Sequence, residues 1–152
     1  TELEIKERKS RAEDALSATR AAMSEGIVPG AGTAFLHISE KVAATRSSGD
    51  VRFGVQVVAD ALLEPTAQLA RNCGFDGPAV VAEVMEYEDI KMGFDGVKGK
   101  VVDLVRAGVV DPTKVLRVAL QNAASVAGLY LTSDTAIADL EKDEAAVDGA
   151  LV

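Results

Sequence analysis

Apolar residues recur at helical spacing through most of the chain, most densely from Val109 to Ser133. Val115, Val118, Ala119, Ala123, Val126, Ala127 and Tyr130 follow the three-four spacing of one helix face. Leu116, Leu120 and Leu129 widen that stripe until little polar surface remains. A helix apolar on most of its circumference predicts a central core element, touched from several sides. Asp111 and Pro112 predict its start, as N-cap and first helical residue. The small residues Ala123, Ala124, Ser125, Ala127 and Gly128 would let neighbours approach closely.

Before that helix the pattern predicts several more. Thr1 and Glu4 form a capping box, and a helical pattern runs to Glu25 and stops at Gly26. Its first half has little apolar surface beyond Leu3 and Ile5, whereas its Ala-rich second half is expected to enter a core. The Gly-rich stretch Ile27–Gly32 reads as a turn between two helices. Thr33 to Thr45 is a helix with Phe35, Leu36, Ile38 and Val42 apolar, and Asp50 caps the next. Pro65 divides Val51–Asn72 into two runs, and Ala79–Tyr87 is another helix. Asp95-Gly96 predicts a hairpin turn, Val101–Ala107 a short helical turn, and TAIADL (Thr135–Leu140) a short strand. The residues from Glu141 form an acidic, Ala-rich, mobile tail. The fold class is mainly α, a helical bundle with a small β-hairpin and a C-terminal strand.

Composition narrows the classes of partner. The formal net charge of -8 and the absence of a basic stripe argue against a nucleic-acid surface. A single cysteine, Cys73, excludes an intrachain disulfide and suits a reducing compartment. No apolar run approaches the roughly 18 to 20 residues of a membrane-spanning helix, and no signal peptide opens the chain. A charged helical segment opens it instead, as expected of a piece of a longer protein. Unpaired strand edges seek partners, so the terminal strand points to an assembly.

Few residues suggest chemistry. Asp14 lies mid-helix among Ala12, Ala15, Leu16 and Ala18, where an aspartate has poor propensity and no capping role. It is either a solvated carboxylate or one aimed into a cleft to orient a water or a metal ion. Gly30 and Gly32 permit positive φ and close approach of a ligand to the backbone, or simply a tight turn. No Walker lysine and no full GxGxxG accompany them. His37 has no Cys or His partner at metal-ligand spacing and reads as a surface or packing residue, so no metal ligand is assigned. Cys73 has no pattern of a nucleophile around it and reads as buried packing. Asp111 is held by a capping role at the positive end of its helix.

Two segments, RAEDALSATRAAMSEGIVPGAG (Arg11–Gly32) and AGVVDPTKVLRVALQNAASVAGLYLTS (Ala107–Ser133), closely resemble the group I, GroEL-type chaperonins. NCG at Asn72–Gly74 and GFDG at Gly93–Gly96 follow the same order and spacing. The likeness covers essentially the whole chain and only the C-terminal part of such a subunit. It implies that residues 1–25 are the returning helix of the intermediate domain, 26–140 the C-terminal half of the equatorial domain, and 141–152 a flexible tail.

The resemblance also implies roles. Asp14 corresponds to the catalytic aspartate that orients the water attacking the γ-phosphate of ATP bound with Mg2+. Gly30 and Ala31 correspond to the turn whose backbone lies against the nucleotide. Asp95 and Gly96 match the hairpin at the adenine, and Asp111 the carboxylate on the ribose hydroxyls. Thr135–Leu140 corresponds to a strand that pairs with a neighbouring subunit of a seven-membered ring. Unfolded clients and a co-chaperonin would bind an apical domain that this chain lacks, and the phosphate-binding loop is absent too.

Three departures set the chain apart from the resemblance. Ala31 stands where the family's turn has glycine, Asp95-Gly96 where its hairpin has Asn-Ala, and ALV ends the chain in place of a Gly-Gly-Met tail. With IVPG and LQNAASVAG, the ALV ending leans toward a plastid alpha-type subunit in the stroma; the alternatives are the bacterial cytoplasm and the mitochondrial matrix. The leading reading is a segment of an ATP-dependent folding chamber, feeble as an ATPase by itself. The alternative is a non-catalytic helical assembly module that binds nucleotide weakly.

Overall fold

The computed structural model describes residues 1–135, 137 and 138. Among them, seven helices and four short strands follow one another. They are α1 (Glu2–Glu25), β1 (Ile27–Pro29), α2 (Thr33–Ala43), α3 (Val51–Ala61), α4 (Glu64–Asn72), α5 (Gly77–Met85), β2 (Met92–Asp95), β3 (Lys100–Asp103), α6 (Leu104–Ala107), β4 (Val110–Pro112) and α7 (Thr113–Leu131). The chain divides into two units, Thr1–Ala119 and Leu120–Val152.

In the first unit, α1 starts at the expected capping box, with Thr1 Oγ1 accepting from the Glu4 amide. It ends at Gly26, whose φ of 80° no ordinary residue adopts easily. The core lies elsewhere. Leu36 of α2, Ala67 and Ala70 of α4, Val80, Val81 and Val84 of α5, and Phe94 of β2 pack together, with Leu63, Leu69 and Val101 against them. Burying a side chain the size of Phe94 contributes about 2–3 kcal/mol. Phe75 adds an edge-on aromatic contact to it, at 5.2 Å between ring centroids. Asp76 caps α5 through the Ala79 amide, and Pro65 sits in the first turn of α4, so the break between α3 and α4 falls where proline predicts.

The strands make two antiparallel pairs. β1 pairs with β4, placing Val28 opposite Asp111 and Pro29 opposite Val110. β2 pairs with β3, placing Phe94 opposite Val101.

Several expectations are corrected. The second half of α1 does not enter the core: no residue of α1 is buried, and Leu16 and Met23 are exposed. The Gly-rich stretch is not a helix-helix turn, because Ile27–Pro29 finds β4 as a ladder partner. That pairing also takes Asp111 and Pro112 into β4, so Asp111 is not an N-cap and α7 begins at Thr113. Asp50 precedes α3 without making a side-chain cap bond. Val101–Asp103 is strand, and only Leu104–Ala107 is helical. Cys73 is exposed. The hairpin expected at Asp95-Gly96 does form, with residues 96–99 between β2 and β3.

The predicted central helix forms, but it is not a core helix. No residue of α7 is buried, and Val115, Val126, Leu129 and Tyr130 are exposed. Its stripe is apolar as the spacing indicates; Leu116 and Val118 are half-buried, and the rest of the stripe is exposed. In the second unit the helix closes with Thr132 and Ser133 hydroxyls donating to the carbonyl of Leu129. The strand expected at Thr135–Leu140 lies largely outside the described residues, and the tail from Glu141 lies wholly outside them.

Candidate functional site

Gly30, Ala31 and Gly32 join β1 to α2. Gly30 continues the β1–β4 pairing, its amide donating to the Val109 carbonyl at 3.1 Å. A Cβ on Gly30 would stand 3.2 Å from the Val109 backbone, so the position has little room for a side chain. Ala31 and Gly32 both adopt left-handed backbone, with φ of 55° and 73°. Ala31 is the non-glycine residue that does so among the described residues, at a strain of about 1–2 kcal/mol for an L side chain. Gly32 must be glycine on two counts: its φ is positive, and a Cβ would lie 2.7 Å from Thr66 Oγ1. The turn leads into α2 with no side chain capping its first amides; the Thr33 and Phe35 amides donate instead to the Gly30 and Gly32 carbonyls of the turn, at 3.0 and 2.9 Å.

Asp111 stands on the strand paired with β1, opposite Val28. It is half-buried. Burial pushes its carboxyl above the usual range, and among the described residues no hydrogen bond or cation opposes it. A desolvated carboxylate without a partner is a group prepared to accept hydrogen bonds from a ligand. The structure thus brings Gly30, Ala31 and Asp111 together through one short ladder.

The hairpin is different. Asp95 is 6% exposed. Its carboxylate accepts from the Val97 and Lys98 amides at 3.1 and 3.2 Å and pairs with Lys98 Nζ at 2.9 Å. The Lys98 contact, more than anything else, holds this carboxyl below the usual range. The side chain therefore closes its own loop. Gly96 packs on the far end of α4, where a Cβ would meet Cys73 Sγ at 2.6 Å. Thr66 of α4, against the turn, and Cys73, which follows α4, against the hairpin, are seven positions apart, about 10 Å along a helix axis.

Asp14 is exposed on α1. It is eleven positions before Glu25, so it stands about 16 Å along the helix from the junction with β4. No ion pair reaches it among the described residues, and the geometry does not gather it with the turn. At the junction, Glu25 receives a two-pronged contact from Arg117 of α7, at 3.1 and 2.7 Å. His37 is half-buried, and its Nε2 has no hydrogen-bond partner among the described residues.

Sequence reasoning missed Thr66. It is fully buried, and its hydroxyl donates to the Ala31 carbonyl at 2.9 Å. Nothing local announces a contact across 35 positions; a threonine after Pro65 reads as an ordinary first-turn residue.

The left-handed turn at Ala31–Gly32 and the half-buried Asp111 lie in a mainly helical chain. The sequence matches the TCP-1/cpn60 chaperonin family over residues 1–141, and the chain belongs to that family. It is also similar to the crystal structure of a group III chaperonin in the open state, with a TM-score of 0.70 and 32% identity over 77% of this chain. The match takes in 25% of that chaperonin, so the chain spans about a quarter of its length.

Proposed function

We propose that the chain is the segment of an ATP-driven chaperonin subunit that supplies the water-orienting aspartate and the nucleoside side of the pocket. The observation that carries this reading is the left-handed turn at Ala31–Gly32 at the end of β1, whose ladder partner β4 carries the half-buried Asp111, unpartnered among the described residues, in a chain of the chaperonin family. The backbone of Gly30 and Ala31 lies against the nucleotide, and Asp111 accepts from the ribose hydroxyls. Gly96 faces the adenine through its backbone, because the Asp95 carboxylate is already bonded within its own loop. Asp14 orients the attacking water, and its distance along α1 requires that helix to move toward the turn. Bound ATP with Mg2+ supplies the phosphoryl group that is transferred.

The two long motifs favour a group I subunit in a heptameric ring, with unfolded clients and a co-chaperonin engaged by domains outside this chain. They lean toward the plastid stroma.

Mg-ATP hydrolysis by the full-length protein tests the assignment. Asp14→Ala is expected to lower kcat by about a hundredfold or more while leaving nucleotide affinity within about twofold. Asp111→Ala is expected to weaken nucleotide binding. Unchanged turnover in Asp14→Ala would overturn the role. The second reading, a weakly binding assembly module, draws on Asp95 being occupied within its loop and on the strain at Ala31. Loss of nucleotide affinity in the assembled parent would favour it.

A further inference from the structure

We propose that Thr66 is a positioning residue for nucleotide binding: its hydroxyl holds the Ala31 carbonyl and so fixes the left-handed turn in the shape the ligand meets. The inference rests on the functional reading above.

Three observations lead to it. Helical threonines ordinarily return their hydroxyl to a carbonyl one turn back in their own helix. Thr19 does so within α1, bonding Ala15, and Thr45 and Thr132, just past the ends of α2 and α7, reach back in the same way to Lys41 and Gly128. Thr66 instead reaches out of α4 to Ala31, 35 positions away, at 2.9 Å.

Second, the bond falls on a residue that needs it. Ala31 carries a Cβ at φ 55°, a conformation that is intrinsically unfavourable outside glycine. A residue in that region persists only where its surroundings over-determine it. The Gly30 amide on Val109 holds the turn on one side, and Thr66 holds its carbonyl on the other.

Third, the contact is dry and tight. Thr66 is fully buried, and the absence of a side chain at Gly32 is what lets the turn lie across it. Water cannot easily replace a hydroxyl lost there.

The sequence departure at position 31 thus has a partner. The turn keeps its left-handed course with alanine because α4 clamps it. If so, the hydroxyl should matter with Ala31 and become nearly dispensable with glycine, which adopts the conformation unaided.

Mg-ADP affinity of the full-length protein, by calorimetry, and amide exchange of Ala31–Ala34 without nucleotide read this out together. Thr66→Val keeps the shape and loses the hydroxyl. It is expected to raise Kd about five- to tenfold and to speed exchange in the turn, as loss of one buried hydrogen bond would. Thr66→Ser is expected to restore both to within about twofold. In an Ala31→Gly background the Thr66→Val effect should shrink to about twofold or less. A purely structural role would lower the unfolding temperature but leave Kd and turn exchange unchanged; that result overturns the proposal, as does an undiminished effect in the glycine background. If the parent does not bind Mg-ADP, the functional reading fails, and the ligand-free exchange still decides whether Thr66 holds the turn.

Discussion

Two aspartates singled out in the sequence are driven in opposite directions by their surroundings. Asp95 has two amides and a lysine on its carboxylate, which favour the charged form. Asp111 has burial and nothing to offset it, which favours the neutral form. The folded chain therefore binds the Asp111 proton more tightly than the unfolded chain does. Its contribution to stability is present below the ordinary aspartate range and is lost as pH rises through the raised folded value. At neutral pH the ionised carboxylate opposes folding. Asp111→Asn should accordingly raise Tm at pH 7, and the gain should disappear in acid, where the parent carboxyl is protonated too. Thermal unfolding of both proteins at pH 7 and at pH 3.5 checks this; equal Tm at pH 7 would show that water reaches the carboxylate freely. A stability cost at a position suited to a ligand is what a binding group, rather than a structural one, carries.

At the scale of elements, close approach decides which small residues are obligatory. Gly93 of β2 faces the first turn of α2 and α6. A Cβ there would overlap the Thr33 hydroxyl and stand 2.5 Å from Leu104 Cδ1. Thr33 and Leu104 are both fully buried and cannot swing away. Gly54 of α3 has no atom within 4 Å of such a Cβ. Gly93→Ala is expected to cost about 1–3 kcal/mol by overpacking. Gly54→Ala should stabilise by about 0.5–1 kcal/mol, since alanine suits a helix interior better. Urea unfolding of the two variants should move in opposite directions. The contrast also explains the hairpin: β2 can lie on α2 because Gly93 has no side chain, and that contact sets where Asp95 and Gly96 stand.

For the whole molecule, the conspicuous feature is apolar surface. Val126, Leu129, Tyr130 and Leu131 of α7 are 50–88% exposed. On α3, Phe53 and Val57 are 71% and 65% exposed. A chain that spans 25% of a matching chaperonin leaves room for other parts of such a protein to lie on these faces. The 152-residue chain by itself is expected to associate as its concentration rises, with a mass that Mg-ATP does not change and ATP turnover at background. Light scattering on a size-exclusion column, with and without Mg-ATP, measures this. A large, discrete, ATP-sensitive particle would instead mean that ring contacts and a working pocket both reside in this chain.

Helical periodicity, capping signals and proline made most helices legible in the sequence, because these act over a few residues. The box at Thr1 and Glu4, the stop at Gly26 and the break at Pro65 all fall where expected. Periodicity also located the apolar stripe of α7 but could not say whether anything covers it, since burial belongs to the partner as much as to the stripe. Asp111 was legible as a singular residue and misread as a cap, because its true neighbour, Val28, is 83 positions away and only strand pairing joins them. The same holds for Thr66, whose bond to Ala31 no local rule contains. By itself the sequence determined where most helices form and several of their boundaries, at Thr1, Gly26 and Pro65, through short-range sterics and hydrogen bonding. Only the tertiary structure decided which carboxylate is left unpaired, which turn is clamped and which apolar face is bare, because those depend on contacts between residues far apart along the chain.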